Sequence, residues 1–510
     1  ETAQESSTSD AGERKSLGML VERSDGVWSN VSATLTAVAG AIMTICPTSY
    51  GLVVGGTFVN AGDANGDLVV LVNPDTGALT SIGTGCAGTQ VERILPWPQV
   101  NASTILVVGN FTSAGGVANT RGIAKCDLST NTWTAVSSGV DNNAVADAAI
   151  DSEGDVYLVG TFTAASAVAN TGYFCKYDRS AGVFVAMHDA TWTINSADGV
   201  PEGDSVHVHT DGWVYVSADV ENVSGVAVQN LFRCTTTGTS HAALSTGLIS
   251  DGSYILSFAS APDGNLYMGT VTTCTSAGGI TGYYSYVWNG TSFAAMPPGF
   301  NGSVWCLDWL DGVLYASGDF TGGGSTTFRV NRLASWNGSI WRRADSNFPG
   351  IAYAVEAYAG AIYAAMPTGA SVWSSKALTV TNPGTGVAYP RFRFFYVSGT
   401  TTPRVSVIRN DTTGKELHFD HLLNPGEYLD VDLDYQPDPL SGESSPGRKR
   451  IWSSTQGDVS RNLLRGSDLA TFGLVPGANV LTFFTDEADA ETTATTVSVT
   501  FRVPHQSADE

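Results

Sequence analysis

The feature that most constrains this chain is a phrase that returns about every fifty residues. It reads VVGNFTSAGGV at Val107–Val117, VVGGTFVNAG at Val53–Gly62 and LVGTFTAASAV at Leu158–Val168. Further copies are YMGTVTTCTSAGG at Tyr267–Gly279 and YASGDFTGGG at Tyr315–Gly324, with a degenerate one, YVSADVENVSGV, at Tyr215–Val226. A fixed period of this length marks a propeller or a solenoid. In both, each repeat is one supersecondary unit that buries its faces only against its neighbours.

The unit Ser303–Gly350 shows why each repeat is a sheet. It divides into SVWCLDWLDG, VLYASGDFTGGG, STTFRVNRLASWNG and SIWRRADSNFPG. Apolar and polar residues alternate in these runs, and turn residues close each one, which predicts a four-stranded antiparallel meander, a propeller blade. Trp341 in the fourth run has counterparts in Trp28, Trp133 and Phe293, placing a large aromatic where neighbouring sheets would pack. Complete units extend from Ala37 to Gly350. Beyond them Ala352–Gly369 supplies the first two runs of another unit, and Ser16–Val31, ahead of the first unit, reads as the last two. Joined, these halves predict a seven-bladed β-propeller whose last blade is closed by the N- and C-terminal halves, an arrangement without open sheet edges.

Composition agrees with an all-β chain: only 14% of residues are charged and there are 57 glycines. The net charge of −23 argues against general binding to nucleic acid, because phosphate contacts need a basic face. Residues 1–375 carry 13 basic and 31 acidic side chains, residues 376–510 carry 12 and 17. No membrane insertion is expected, because the most apolar stretch, Ala37–Phe58, is interrupted by Pro47 and several glycines and reads as two strands. The first fifteen residues are polar, unlike a signal peptide, and read as a flexible segment. Cys126 and Cys234 take the repeat position that Trp288 and Trp336 fill elsewhere, so they belong to different blades. Buried free thiols are the expectation for the seven cysteines.

Near Ala377 the repeat stops. ALTVTNPGTGVAYPRFRFFYV, RVSVIRNDTTGKELHFD, GEYLDVDLDYQPD, FGLVPGANVLTFFTDE and TTVSVTFRVP read as strands of a β-sandwich. The domain reading is therefore a polar segment at 1–15, the propeller at 16–375, the sandwich at 376–504 and a tail at 505–510.

Within the sandwich the order Asn382-Pro383-Gly384, Tyr389-Pro390, Asn410 to Gly414, Gly426-Glu427-Tyr428-Leu429 with Asp432, and Leu474-Val475-Pro476-Gly477-Ala478-Asn479 resembles a known family. It is similar to the galectin-like C-terminal domain of siphophage-type tail components such as distal tail proteins, across roughly 377–504. The blades look like the Gly-x-Phe-Thr repeats of phage and bacterial surface proteins. The ring-forming N-terminal barrel of distal tail proteins is absent from this sequence, a departure that puts a ring position in the tail in doubt. The resemblance implies a structural virion protein of a tailed phage, its sandwich anchored to the particle and its propeller exposed. Its implied partners are other tail proteins, further copies of itself, and a host-surface glycan or receptor. The rival reading is a secreted or cell-surface bacterial module that binds glycans.

Candidate sites are few. His207 and His209 project from one strand face as a metal pair would, but no third ligand stands at suitable spacing. Asp63-x-Asn65-x-Asp67 imitates a calcium loop, yet Leu68 and Pro74 replace the required Gly and acid. Asp430, Asp432 and Asp434 alternate with Leu429, Val431 and Leu433, as on a strand with one polar face. Arg448, Lys449 and Arg450, with Arg461 and Arg465 nearby, form the basic cluster and the candidate assembly interface. Neither a paired-carboxylate arrangement nor a Ser/His/Asp set is legible, so no enzyme activity, cofactor or metal is expected.

Overall fold

A computed structural model describes residues 2–7, 15–22, 28–31, 40–141, 144–193, 203–249, 253–261, 263–271, 274, 276–310, 313–323, 330, 332–336, 338–343, 351–358, 361–372, 375–396, 404–410, 412–413, 415–434, 449–463, 467, 469–485 and 495–502. The chain divides into two compact units, one of Ser16–Ala370 and one of Glu1–Lys15 with Ser371–Glu510. Among the described residues there is no α-helix; the chain is all-β, built of small antiparallel sheets.

The larger unit is a propeller-type arrangement. Each repeat forms the meander its alternation predicts: Cys86–Pro96, Thr104–Ala114, Ile123–Asp127 and Thr132–Ala135 pair in order, and so do Val304–Leu310, Val313–Gly318, Leu333–Trp336 and Trp341–Arg343. Successive sheets stack face to face. Val53 and Val69 of one sheet share a core with Val107, Phe111 and Trp133 of the next, and Leu158 and Phe162 pack on Leu106 and Val108. The phenylalanine of the recurring phrase is buried each time, as Phe58, Phe111, Phe162 and Phe320. Fourth-strand tryptophans reach back one sheet: Trp133 Nε1 donates to Ile82 O (2.9 Å) and Trp341 Nε1 to Ser285 Oγ (3.1 Å). The Trp133 ring lies where a Cβ on Gly115, itself at φ +60°, would stand 2.3 Å away, so only glycine fits there.

The first strands of the repeats, Gly40–Thr48, Cys86–Pro96, Val145–Ile150, Gly203–Val208, Ile255–Ser260, Val304–Leu310 and Ala354–Tyr358, neighbour one another in a closed circle about an axis. Lys15–Glu22 and Trp28–Asn30 lie in one sheet with Ala354–Tyr358 and Ala361–Val372, bringing strands from both ends of the repeat array together.

In the smaller unit a six-stranded and a four-stranded sheet share one core. Phe392 and Phe394 of the first meet Phe483 of the second edge to face at 5.8 and 5.7 Å. Alternation along Leu429–Leu433 is as expected, with Leu429, Val431 and Leu433 in this core. Two boundaries differ from the sequence reading. The division falls after Ala370, inside the strand Ala361–Val372. Residues 1–15 belong to this unit too: Thr2–Ser7 pairs antiparallel with Thr495–Arg502, Thr2 opposite Arg502 and Ser7 opposite Val497. A polar segment can do this because an edge strand needs backbone pairing more than apolar side chains.

Glu427 organises one end of this unit. It is fully buried and accepts from Ser453 Oγ, from Asn424 N (2.9 Å) and Nδ2 (2.7 Å), and from His421 Nε2 (3.0 Å). Burial alone would raise its pKa, but hydrogen bonds from Ser453 and Asn424 outweigh it and hold it at about 2. A depressed carboxyl contributes stability that is present above its ordinary value and lost as pH falls toward 2. Glu427→Gln is expected to cost on the order of 2 kcal/mol at pH 7. It should also remove part of the wild-type loss between pH 4.5 and 2, read from thermal unfolding across that range.

Candidate functional site

The axis of the larger unit holds the most unusual chemistry among the described residues. Six of the seven first strands carry a bulge, where the register shifts at Ile42/Thr44, Val91/Arg93, Val145/Asp147, Gly203/Ser205, Ile255/Ser257 and Val304/Cys306, whereas Ala354–Tyr358 pairs without one. A bulge re-aims the side chain that follows it. Here it turns that side chain onto the next sheet: Thr44 Oγ1 accepts from Ile94 N (3.3 Å), Asp147 Oδ2 from Val206 N (3.1 Å), and Ser257 Oγ from Leu307 N (2.9 Å). Cys306 receives Val355 N in the same way, and Ser205 Oγ donates to Ile255 O (2.7 Å). In the second sheet the position is Arg93, whose Nε lies 3.8 Å from Asp147 Oδ1.

Arg93 is 48% accessible along its side chain, yet protein surrounds it on every side. Both hold for a guanidinium among the first strands that keeps part of its length in contact with solvent. Its charge is felt by Asp147, Cys306, Glu356 and Asp308 across the circle. Asp308 and Glu356 hold equivalent register positions, opposite Tyr315 and Tyr363, and their carboxyls hydrogen-bond to each other. Burial first and the charge of Asp308 second raise Glu356 to about 8, so the pair retains a proton at neutral pH. Carboxyls in direct contact are closer than the roughly 5–9.5 Å that two-carboxylate glycoside hydrolysis requires. The arrangement suits proton storage and charge compensation. Cys306 is pushed up to about 12, mainly by burial, and so stays a thiol.

His207 and His209 have another task than a metal. His209 Nε2 bonds Gly264 O (3.0 Å), and Ser260 Oγ bridges His209 Nδ1 and His207 Nε2 at 2.6 Å each. With Nε2–H of His209 on a carbonyl, its Nδ1 accepts from Ser260, which in turn accepts from His207. Burial, then His209 and Arg93, lower His207 to about 3, so the His207 ring stays neutral. Asp63 Oδ1 accepts from Asn65 N (2.7 Å), a turn bond, and from Ser81 Oγ (2.6 Å) of the strand Leu79–Ser81. All seven cysteines are buried free thiols.

In the smaller unit the acidic stripe is not uniformly solvated. Asp430 is 5% exposed and holds both Arg391 and Arg393 from the adjacent strand. Of the basic cluster, Lys449 donates to Leu469 O and stands 5.0 Å from the Tyr389 ring, while Arg450 stacks on Trp452 at 4.1 Å. Both are engaged within their own unit. Arg461 lies in the short turn Ser460–Asn462, with its side chain outside the described residues, and Arg448 and Arg465 lie wholly outside them.

The axial cluster escaped the sequence reading because its members are far apart in the chain. Aligning the first strands of the repeats would have found it, since Asp308 and Glu356 take the same place in consecutive units. Raised acids stabilise below their ordinary pKa, and that contribution fades as pH rises through the folded value. Glu356→Gln should therefore unfold at a higher temperature than wild type at pH 8.5 and show no such advantage at pH 4. Arg93→Met leaves Asp147 and the pair uncompensated. The expected loss is roughly 1–3 kcal/mol, below that of a fully buried pair because Arg93 is half solvated. Denaturant unfolding at pH 7 measures it.

No family model matches the sequence, and a comparison with curated protein sequences finds no match. Among solved structures, the chain is similar to an extracellular domain of a one-component system from B. thetaiotaomicron (TM-score 0.33, 11% identity, 82% of this chain and 50% of that one). It thus spans about half the length of that structure. It is also similar to the GH74 xyloglucanase from Xanthomonas campestris (0.43, 10%, 85% and 69%) and to oligogalacturonate lyase from Vibrio parahaemolyticus (0.41, 11%, 70% and 98%).

Proposed function

We propose that this chain is a non-catalytic structural protein of a phage tail, a seven-bladed β-propeller displayed by a galectin-like β-sandwich. The sandwich anchors it among other tail proteins in several copies, and the propeller faces the host surface. One observation carries the reading. Four of the residues on which the family resemblance rests, Asn382, Asn410, Glu427 and Asn479, are buried polar residues of the smaller unit.

Asn382 Nδ2 donates to Gly386 O (2.8 Å) and Leu474 O (2.9 Å), and Asn410 Nδ2 to Gly473 O (2.8 Å). Asn479 accepts from Val475 N (2.9 Å) and returns a bond to Val475 O (2.8 Å). All three side chains, with Glu427, are fully buried. A shared set of turn residues that each satisfy buried backbone groups is harder to meet by chance than a shared surface composition. The propeller contributes loops on a rigid scaffold, the usual place for recognition.

Cryo-electron microscopy and immunogold labelling of native particles from the source culture test this. The expected outcome is label and propeller-shaped density at symmetry-related positions on a tail. Recovery of the chain only as a free or cell-bound protein, absent from every particle, would overturn the tail assignment in favour of a bacterial glycan-binding module.

A further inference from the structure

We infer that the larger unit carries a binding site for one neutral sugar residue where its first and second sheets meet, built around Tyr50, Asn101 and Asp127. The inference rests on the display reading above and gives that surface a ligand class. An open depression of about 340 Å³ lies between the Thr48–Gly51 turn, the loop Trp97–Ser103 and the turn after Asp127, lined by Ser49, Tyr50, Asn101, Ser103, Asp127 and Ser129. Ligand pockets start at roughly 300 Å³, so a depression of this size seats one pyranose at its centre.

The loop is an addition to the repeat. Among the described residues the other connections between first and second strands are shorter, the longest being Asp151–Asp155 and Ala261–Asn265. It is also fixed in place. Trp97 is fully buried and its Nε1 donates to Gly154 O of the third sheet (2.9 Å), and Gln99 Nε2 bonds Asp151 O (3.3 Å). An extension tied down by a buried tryptophan holds its tip, Asn101–Ser103, in one geometry over the depression.

The lining has the chemistry of sugar recognition. Tyr50 is 44% exposed, a flat apolar ring with a polar tip that can cover the C–H face of a pyranose. Asp127 Oδ1 is occupied by Ser103 Oγ (2.7 Å), Ser129 N (2.9 Å) and Ser129 Oγ (2.6 Å), whereas Oδ2 accepts from Asn101 Nδ2 alone (3.1 Å). A carboxylate oxygen has more than one lone pair, so Oδ2 retains capacity for a sugar hydroxyl. Those hydrogen bonds, from Ser129 foremost and then Ser103, hold Asp127 well below the usual carboxylate range. It therefore stays ionised, and no Lys or Arg lines the depression. Uronic and sialic acids would meet an uncompensated negative charge, which selects neutral sugars. Turn hydrogen bonds fix the polar groups before any ligand arrives, so little ordering cost remains.

Saturation-transfer NMR on the purified full chain, with glucose, galactose, mannose, N-acetylglucosamine, N-acetylgalactosamine, glucuronic acid and sialic acid, tests the inference. At least one neutral sugar should bind and both acids should not. Tyr50→Ala should weaken that binding about tenfold or more, the loss of one stacking contact of about 1.4 kcal/mol or above, while Tyr50→Phe keeps it within about threefold. Matching thermal unfolding of the variants shows that they fold. Binding of no neutral sugar, binding unaffected by Tyr50→Ala, or preference for the acids would overturn it. Sugar binding by a chain absent from phage particles would sink the tail assignment while leaving this site standing.

Discussion

The larger unit depends on how the inner edge of each sheet is satisfied. The first strand of a meander has a partner on one side only, and its other edge carries unpaired N–H and C=O groups. Around this axis most first strands carry a bulge that delivers one short polar side chain to the next sheet's backbone, as Thr44 does for Ile94 and Ser257 for Leu307. The solution is local and repeated, so adding a sheet adds its own closure. It also restricts what can stand at that position. A hydroxyl, a thiol or a carboxylate accepts an N–H at short reach; Arg93 cannot.

That exception accounts for the charge at the axis. Arginine accepts no hydrogen bond, so at Arg93 the contact with the next sheet becomes an ion pair with Asp147, which still serves Val206 N through its other oxygen. One cation at the axis then tolerates acids opposite it, and Asp308 and Glu356 occupy that ground, sharing a proton because burial disfavours two full charges. The cluster follows from placing a cation at one position of this circle of small polar side chains.

Much of this architecture was legible in the sequence. The four runs per repeat, the buried phenylalanine and the fourth-strand tryptophan are local patterns, each set by residues within one unit, and periodicity exposes them. The meeting of strands from both ends of the array was legible as well, because Ser16–Val31 and Ala352–Gly369 are incomplete in complementary ways. What escaped depends on contacts across the circle or on backbone alone. Arg93 stands alone in its stretch of sequence, and nothing in its neighbourhood names Asp308. The pairing of Thr2–Ser7 with Thr495–Arg502 has no apolar signal to announce it. Asp430 read as one of three equivalent acids, yet two arginines on the neighbouring strand single it out.

The two units also divide polar chemistry differently. In the smaller one, Asn382, Asn410, Glu427 and Asn479 are buried and saturated, so their chemistry is spent on holding turns and none is left for a ligand. In the larger one the repeat satisfies its backbone with a fixed set of small side chains, which frees the turns to vary. Trp97–Ser103 shows the consequence: once Trp97 anchors the extension to the third sheet, the residues beyond it are released from the demands of the repeat. Tyr50 stands exposed on a turn too short to bury it, and the neighbouring loop builds a wall beside it. A repeat array gains specificity where one unit departs from the pattern, because the identical remainder keeps the departure rigid.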